Sequence, residues 1–197
     1  MPDYRLGPEH RFPAAVDDAV AVYAELLKET GAAQLVVAGD SAGGGLALAL
    51  ALAIKSRGLP QPAGYYVLSP WADLTQSSDT YRTKAATDPM IQQARVAGSA
   101  ADHLGSGDAL DPLASPIFGD FRDVAPVLIQ VGSEEPLLGD SLKVAEVAGQ
   151  ARVHVQLEIW PEMIHVFQAF FFQSAAARRA IAGAGAWMEA RLQAATS

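Results

Sequence analysis

The sequence lacks cysteine, and only 18% of its 197 residues carry a charge. Without cysteine the protein has no disulfides, no thiolate metal sites and no cysteine nucleophile. Acidic side chains outnumber basic ones by 22 to 14, and the net charge of -8 argues against binding to nucleic acid or to an anionic membrane. The longest aliphatic run, residues 46–54, is shorter than the roughly 20 residues that span a bilayer, and the first residues contain no apolar signal segment. We therefore expect a soluble, cytoplasmic protein.

Hydrophobic residues make up half of the chain, which excludes a disordered protein and is enough for one domain over residues 1–197. Segments with helical periodicity alternate with short apolar segments typical of buried strands. The predicted helices are 14–30, 46–55, 91–103, 142–148 and 175–192, and the predicted strands are 34–38, 63–69, 127–131 and 153–159. This alternation predicts an α/β fold, with a parallel sheet flanked by helices.

The strongest functional signal is the motif Gly39-Asp40-Ser41-Ala42-Gly43. It has the G-x-S-x-G pattern of a nucleophile elbow, and it lies where such an elbow must lie, between a predicted strand and a predicted helix. The flanking glycines let the backbone turn tightly, which exposes the serine hydroxyl at the carboxyl end of the strand. The alternative is an ordinary glycine-rich turn, but the context favours Ser41 as a catalytic nucleophile.

A serine nucleophile needs a base, which in this arrangement follows the serine along the chain. Four histidines are present, and His10 is excluded because it precedes Ser41. His154 lies on the polar face of a predicted strand, and His103 lies at the end of a predicted helix. His165 follows the last predicted strand, at the carboxyl edge of the sheet, and is the predicted base. The alternative for His165 is a buried structural histidine.

The third group, a carboxylate that orients the histidine, should follow the predicted strand 127–131. Three acids do so: Glu134, Glu135 and Asp140. Their spacing does not choose among them. Asp140 is also well placed to cap the predicted helix that begins nearby.

Apolar residues near the predicted sheet edge are candidates for an acyl pocket, although such residues more often belong to a core. The candidates are Trp71, Met90, Ile164 and Phe167. Asp73 and Asp88 are carboxylates that would suit a metal, but no histidine or paired acid lies at ligand spacing from them. No metal site is predicted.

Further short motifs are spread over essentially the whole chain. They are Asp3-Tyr4-Arg5-Leu6-Gly7-Pro8-Glu9-His10 with Phe12-Pro13-Ala14-Ala15, Gly39-Asp40-Ser41-Ala42-Gly43-Gly44, Ser69-Pro70-Trp71-Ala72-Asp73-Leu74, Asp88-Pro89-Met90 and Met163-Ile164-His165-Val166-Phe167. In type and in order, these motifs resemble those of the hormone-sensitive-lipase-like family of bacterial carboxylesterases, within the α/β-hydrolases.

The resemblance implies an α/β-hydrolase fold and a serine carboxylesterase that acts on small, short-chain esters without a cofactor. In the family, the acid is the first residue of an Asp-Pro-Leu-like triplet. Glu135-Pro136-Leu137 matches that triplet, with Glu for the usual Asp, so the resemblance selects Glu135. The Ala42 amide corresponds to one donor of the family's oxyanion hole.

The chain departs from the family on its N-terminal side. Family members carry an upstream His-Gly-Gly motif, which supplies most of the oxyanion hole, together with further strands and a helical cap. This sequence starts at the Asp-Tyr-Arg-Leu segment, so the resemblance implies an N-terminally truncated member. The competing hypothesis is a catalytically weak or inactive relative, or a ligand-binding relative, that keeps the fold.

The same departure leads us to expect a homo-oligomer. If residues 4–6 are the stub of one family strand and its neighbour is lacking, strand 34–38 becomes an edge with unpaired backbone groups. Natural proteins avoid exposing such an edge, because it pairs readily with another chain. We expect self-association through this edge, through the other edge at 153–159, or through both. The alternative is that the 197 residues are a fragment of a longer protein that contains the N-terminal portion.

Overall fold

The computed structural model describes residues 2–194, and a parallel four-stranded sheet forms its centre. The strands are β1 (Val36–Asp40), β2 (Gly64–Leu68), β3 (Val127–Gly132) and β4 (Val155–Trp160), hydrogen-bonded in the order β1-β2-β3-β4. Each strand pairs in parallel with the next, so their carboxyl ends lie at one edge of the sheet. The predicted α/β class with a parallel sheet is confirmed.

Helices cover both faces of this sheet. They are α1 (Ala14–Glu29), α2 (Ala42–Ser56), α3 (Thr80–Thr83), α4 (Gln93–Leu104), α5 (Leu138–Gln150) and α6 (Ala175–Ala194). Helices α2 and α5 pack against one face, where Tyr65 and Ile129 are buried. Helix α6 packs against the other face, where Tyr66 and Leu128 contact Trp187. Helix α1 packs against α2.

The burial of each strand follows its place in the sheet. The central strands β2 and β3 are buried almost throughout, which explains their continuous apolar sequences. Strands β1 and β4 lie at the two edges of the sheet formed by the described residues, and both are only partly buried. The predicted edge positions of these two strands are confirmed.

Several predicted boundaries are displaced. The first strand begins at Val36 rather than at residue 34, because a turn of 3-10 helix, Ala32–Gln34, precedes it. Helix α2 begins at Ala42, directly after the serine, whereas the apolar pattern indicated a start at residue 46. Its first turn is rich in glycine, which hides the helical periodicity.

The predicted strand stub at residues 4–6 is wrong, because this segment has no strand conformation. The Arg5 backbone amide donates to the Asp18 carboxylate at 2.8 Å, and the Arg5 guanidinium pairs with the same carboxylate. These contacts hold the segment against helix α1 instead of the sheet.

Candidate active site

Ser41 lies in the tight turn that joins β1 to α2. Its backbone has φ 53° and ψ -120°, a conformation that non-glycine residues rarely adopt. The turn brings helix α2 back against the end of the strand, and a Cβ on Gly39 would overlap the backbone carbonyl of Gly43. The Ser41 amide donates to Leu68 O of β2 at 2.9 Å, so the neighbouring strand also holds the turn. The local structure is that of a strained nucleophile elbow.

The structure brings the predicted base to this serine. His165 lies in the loop after β4, is only 4% exposed, and places Nε2 2.9 Å from Ser41 Oγ. Its backbone amide donates to Asp88 Oδ2 at 2.8 Å. Asp88 is itself buried and also accepts from the Met90 amide. The long irregular segment between β2 and β3 thus fixes the main chain of the histidine.

Only one of the three candidate acids contacts the histidine. Glu135 is fully buried, and its Oε2 lies 2.7 Å from His165 Nδ1. Its other oxygen, Oε1, accepts from the Gly132 amide and from Ser69 Oγ, each at 2.7 Å. The carboxylate is therefore held on both sides, and one oxygen is left to face the imidazole.

The other two acids have different partners. Glu134 pairs with Lys84 at 3.1 Å at the surface, and this hydrogen bond lowers the pKa of the carboxyl group. Asp140 is buried within α5 and accepts from the amides of Ala72 and Asp73, both at 3.0 Å. Burial raises its pKa to about 8. The prediction that Asp140 caps α5 is wrong, because the helix already begins at Leu138 and the side chain binds a neighbouring loop.

Ala42 is the first residue of α2, so its amide is one of the helical amides that have no acceptor within the helix. The positive end of the helix dipole adds to the attraction that such a position exerts on an anion. Ala42 also lines two adjoining cavities, of about 250 Å³ and about 570 Å³, and Ser41 lines the larger one. An oxygen that develops negative charge beside Ser41 can receive a hydrogen bond here.

Of the four predicted pocket residues, one lines a cavity beside Ala42. Trp71 lines the smaller cavity beside Ala42. Met90 is 45% exposed, and Ile164, next to His165 in the chain, is partly buried. Neither of them lines these two cavities. Phe167 is 2% exposed and packs against α6, so its position is that of a core residue.

Two residues that contact the site were not predicted to belong to it. Asp88 was considered as a possible metal ligand and as part of a motif, and Ser69 only as part of a motif. The available signal was their place in the motifs Asp88-Pro89-Met90 and Ser69-Pro70-Trp71. Within residues 2–194, no three His, Asp or Glu side chains are grouped so that they could hold a metal ion. Over the same residues, no helix has the length and hydropathy to cross a membrane.

Comparisons with known proteins identify the family and relatives of the chain. Residues 1–169 match a family described as alpha/beta hydrolase fold. The chain is 42% identical over 186 residues to an acetyl-hydrolase of Streptomyces hygroscopicus, covering 94% of this chain and 62% of that protein. It is 37% identical over 185 residues to an esterase of Acinetobacter venetianus, covering 91% of this chain and 60% of that protein.

A solved structure entitled hormone-sensitive lipase from a metagenome library has 46% sequence identity and a TM-score of 0.95, covering 96% of this chain and 64% of that one. The chain therefore spans a little over three fifths of the length of these relatives. The predicted resemblance is confirmed.

Proposed function

Because the chain belongs to the α/β-hydrolase family, with hormone-sensitive-lipase-like esterases among its relatives, we propose that it hydrolyses short-chain carboxylic esters with Ser41 as the nucleophile. One observation carries the proposal: a continuous line of hydrogen bonds runs from Ser41 Oγ through the His165 ring to the buried Glu135 carboxylate. A serine hydroxyl becomes a useful nucleophile only with such a relay.

In the proposed reaction, Ser41 Oγ attacks the acyl carbon while His165 Nε2 takes its proton. The carbonyl oxygen becomes an oxyanion, and collapse of the tetrahedral intermediate expels the alcohol, which receives the proton from His165. Water then attacks the acyl-enzyme, with His165 again as the base, and releases the carboxylic acid. Glu135 keeps the imidazole proton on Nδ1 and stabilises the imidazolium in both steps.

The Ala42 amide, at the positive end of α2, is the proposed donor to the oxyanion. A single oxyanion donor contributes on the order of 2.7–4 kcal/mol, or about 100- to 1000-fold in rate. The small cavity beside Ala42, lined on one side by Trp71, has room for a short acyl group. The proposed reaction requires no cofactor.

Hydrolysis of p-nitrophenyl acetate, compared with the octanoate ester, tests the proposal. We expect faster turnover of the acetate and loss of turnover in Ser41→Ala. Turnover should stay unchanged in Ser106→Ala, which alters an exposed serine outside the site. Saturable binding of esters without turnover in the wild type would favour the competing hypothesis of a catalytically weak or ligand-binding relative.

We also propose that the protein is cytoplasmic and forms a homo-oligomer. The support for self-association is that β1 and β4 each present one side without a partner strand among the described residues. The larger of the two cavities beside Ala42 is mainly apolar and runs along β1, between residues of α1 and α2 such as Val22 and Leu50. Exposed strand edges of this kind favour pairing with another chain.

A further inference from the structure

Ser69 follows strand β2 directly and lies between the proposed acid and the proposed base. Its side chain is fully buried, and its backbone is left-handed, with φ 46°. The Ser69 amide donates to Gln130 O of β3 at 2.8 Å, which fixes the residue to the neighbouring strand. This backbone conformation costs free energy in a serine. We therefore expect the buried side chain to have a role that offsets the cost.

The Ser69 hydroxyl makes two hydrogen bonds whose directions are determined. The Val166 amide, next in the chain after His165, donates to Ser69 Oγ at 3.1 Å. Because an amide can only donate, the hydroxyl accepts there, and its own proton is free for the Glu135 Oε1 contact at 2.7 Å. One hydroxyl thereby links the carboxylate to the main chain of the histidine loop.

We propose that Ser69 is a positioning residue for the proposed ester hydrolysis, an inference that rests on that function. Its hydroxyl fixes the position of the Glu135 carboxylate relative to the main chain next to His165. It also directs the negative charge of the carboxylate, since its donation to Oε1, together with that of the Gly132 amide, stabilises charge on the oxygen away from the imidazole.

The effect of Ser69 on the charge of the Glu135 carboxylate can be tested by the direction in which the pH profile moves. Loss of the Ser69 hydroxyl leaves more negative charge on the Glu135 oxygen that faces His165, which favours the protonated imidazole. The acid limb of the kcat/KM profile then moves to higher pH. Among residues 2–194, the other charged group that is hydrogen-bonded to His165 is Asp88, which accepts from its backbone amide. Lys84, nearby in the chain, is paired with Glu134.

Ser69→Gly is the informative variant, because glycine tolerates the left-handed backbone while removing the hydroxyl. We expect kcat to fall by about 10- to 100-fold, the loss typical of a hydrogen bond to a charged group, with KM within about twofold. We expect the acid limb to move up by about 0.5 to 1 pH unit. Ser69→Cys retains a weak donor and should give intermediate values, and it serves if the glycine variant does not fold.

Ser115→Ala is the matched control. Ser115 is also fully buried, and its hydroxyl accepts from the Leu74 amide at 2.9 Å, outside the proposed triad. It should lower thermal stability and leave the acid limb in place. A loss of kcat in Ser69→Gly without movement of the limb would mean a merely structural role and would overturn the inference.

Titration of the His165 ring by NMR gives a readout that does not depend on turnover. Its midpoint should move up in Ser69→Gly even if the wild type hydrolyses no ester, in which case only the proposed function fails. An unmoved midpoint, or kcat within twofold of a wild type that is active through Ser41, would refute the role of Ser69 and leave the proposed function intact.

Discussion

The change Glu135→Gln tests the proposed relay most sharply, because the substitution is nearly isosteric and the hydrogen bonds dictate how the new amide sits. The Gly132 amide and the Ser69 hydroxyl both donate to Oε1, so the amide oxygen of glutamine must stay there. The amide nitrogen then replaces Oε2, 2.7 Å from His165 Nδ1. Since that nitrogen can only donate, Nδ1 must accept, and the ring proton moves to Nε2, which faces Ser41.

The size of the rate loss follows from the free energy needed to restore the His165 tautomer that has its proton on Nδ1. Turning the amide over would set its nitrogen against the two donors on the Oε1 side and leave both unsatisfied in a buried place. At roughly 2 kcal/mol for each buried unsatisfied group, this costs about 4 kcal/mol, or about 10³-fold in rate. The corresponding change of carboxylate to amide in a serine protease triad costs about 10⁴-fold in kcat.

The assay is kcat for a p-nitrophenyl ester, with the thermal midpoint measured alongside it. Glu134→Gln is the matched control, because it makes the same change at the neighbouring residue. Glu134 makes a partly exposed ion pair with Lys84, a type worth at most about 1 kcal/mol, and kcat should stay within about threefold. A kcat of Glu135→Gln within tenfold of the wild type, or a larger loss in Glu134→Gln, would show that Glu135 does not orient His165.

Three further predictions concern stability and assembly. Burial raises the pKa of Asp140 from 3.8 to about 8, so the native state keeps a proton that unfolding releases. The free energy of unfolding should therefore fall as the pH rises from 4 to 8. Denaturant titrations over this pH range should show a smaller fall for Asp140→Asn than for the wild type, and an equal fall would contradict the prediction. A Cβ on Gly45 would overlap the Trp71 carbonyl oxygen, whereas one on Gly43 meets nothing within 4 Å. Gly45→Ala should lose about 1–3 kcal/mol and melt below Gly43→Ala, and the reverse order would argue against the close packing of α2. Light scattering should find a dimer or larger species at micromolar concentration, and a stable monomer would refute the argument from exposed strand edges.

The sequence could predict those parts of the site that local patterns constrain. A serine between a strand and a helix, and a histidine after the last strand, must come to the same edge of a parallel sheet, and Ser41 and His165 do lie in contact. The choice of acid could not be made from spacing, because Glu134 and Glu135 are neighbours whose side chains point in different directions. The resemblance to a family selected Glu135, which is the acid that contacts the histidine.

The remaining contacts depend on packing between segments that are far apart in the sequence. The Ser69 hydroxyl reaches Glu135 and the Val166 amide only because β2 and β3 are neighbours and the loop after β4 folds over them. Phe167 was predicted to line a pocket, but helix α6 covers it, which its sequence position does not show. The strand stub at residues 4–6 failed for a similar reason, since an ion pair with α1 holds that segment.

The central claim is that His165 activates Ser41 as a nucleophile, and reaction with a phosphonate ester probe followed by peptide mass spectrometry measures it directly. We expect a single adduct on Ser41, absent in Ser41→Ala and formed much more slowly in His165→Gln. Failure of the wild-type protein to react, or an adduct on another residue with Ser41 unmodified, would contradict it.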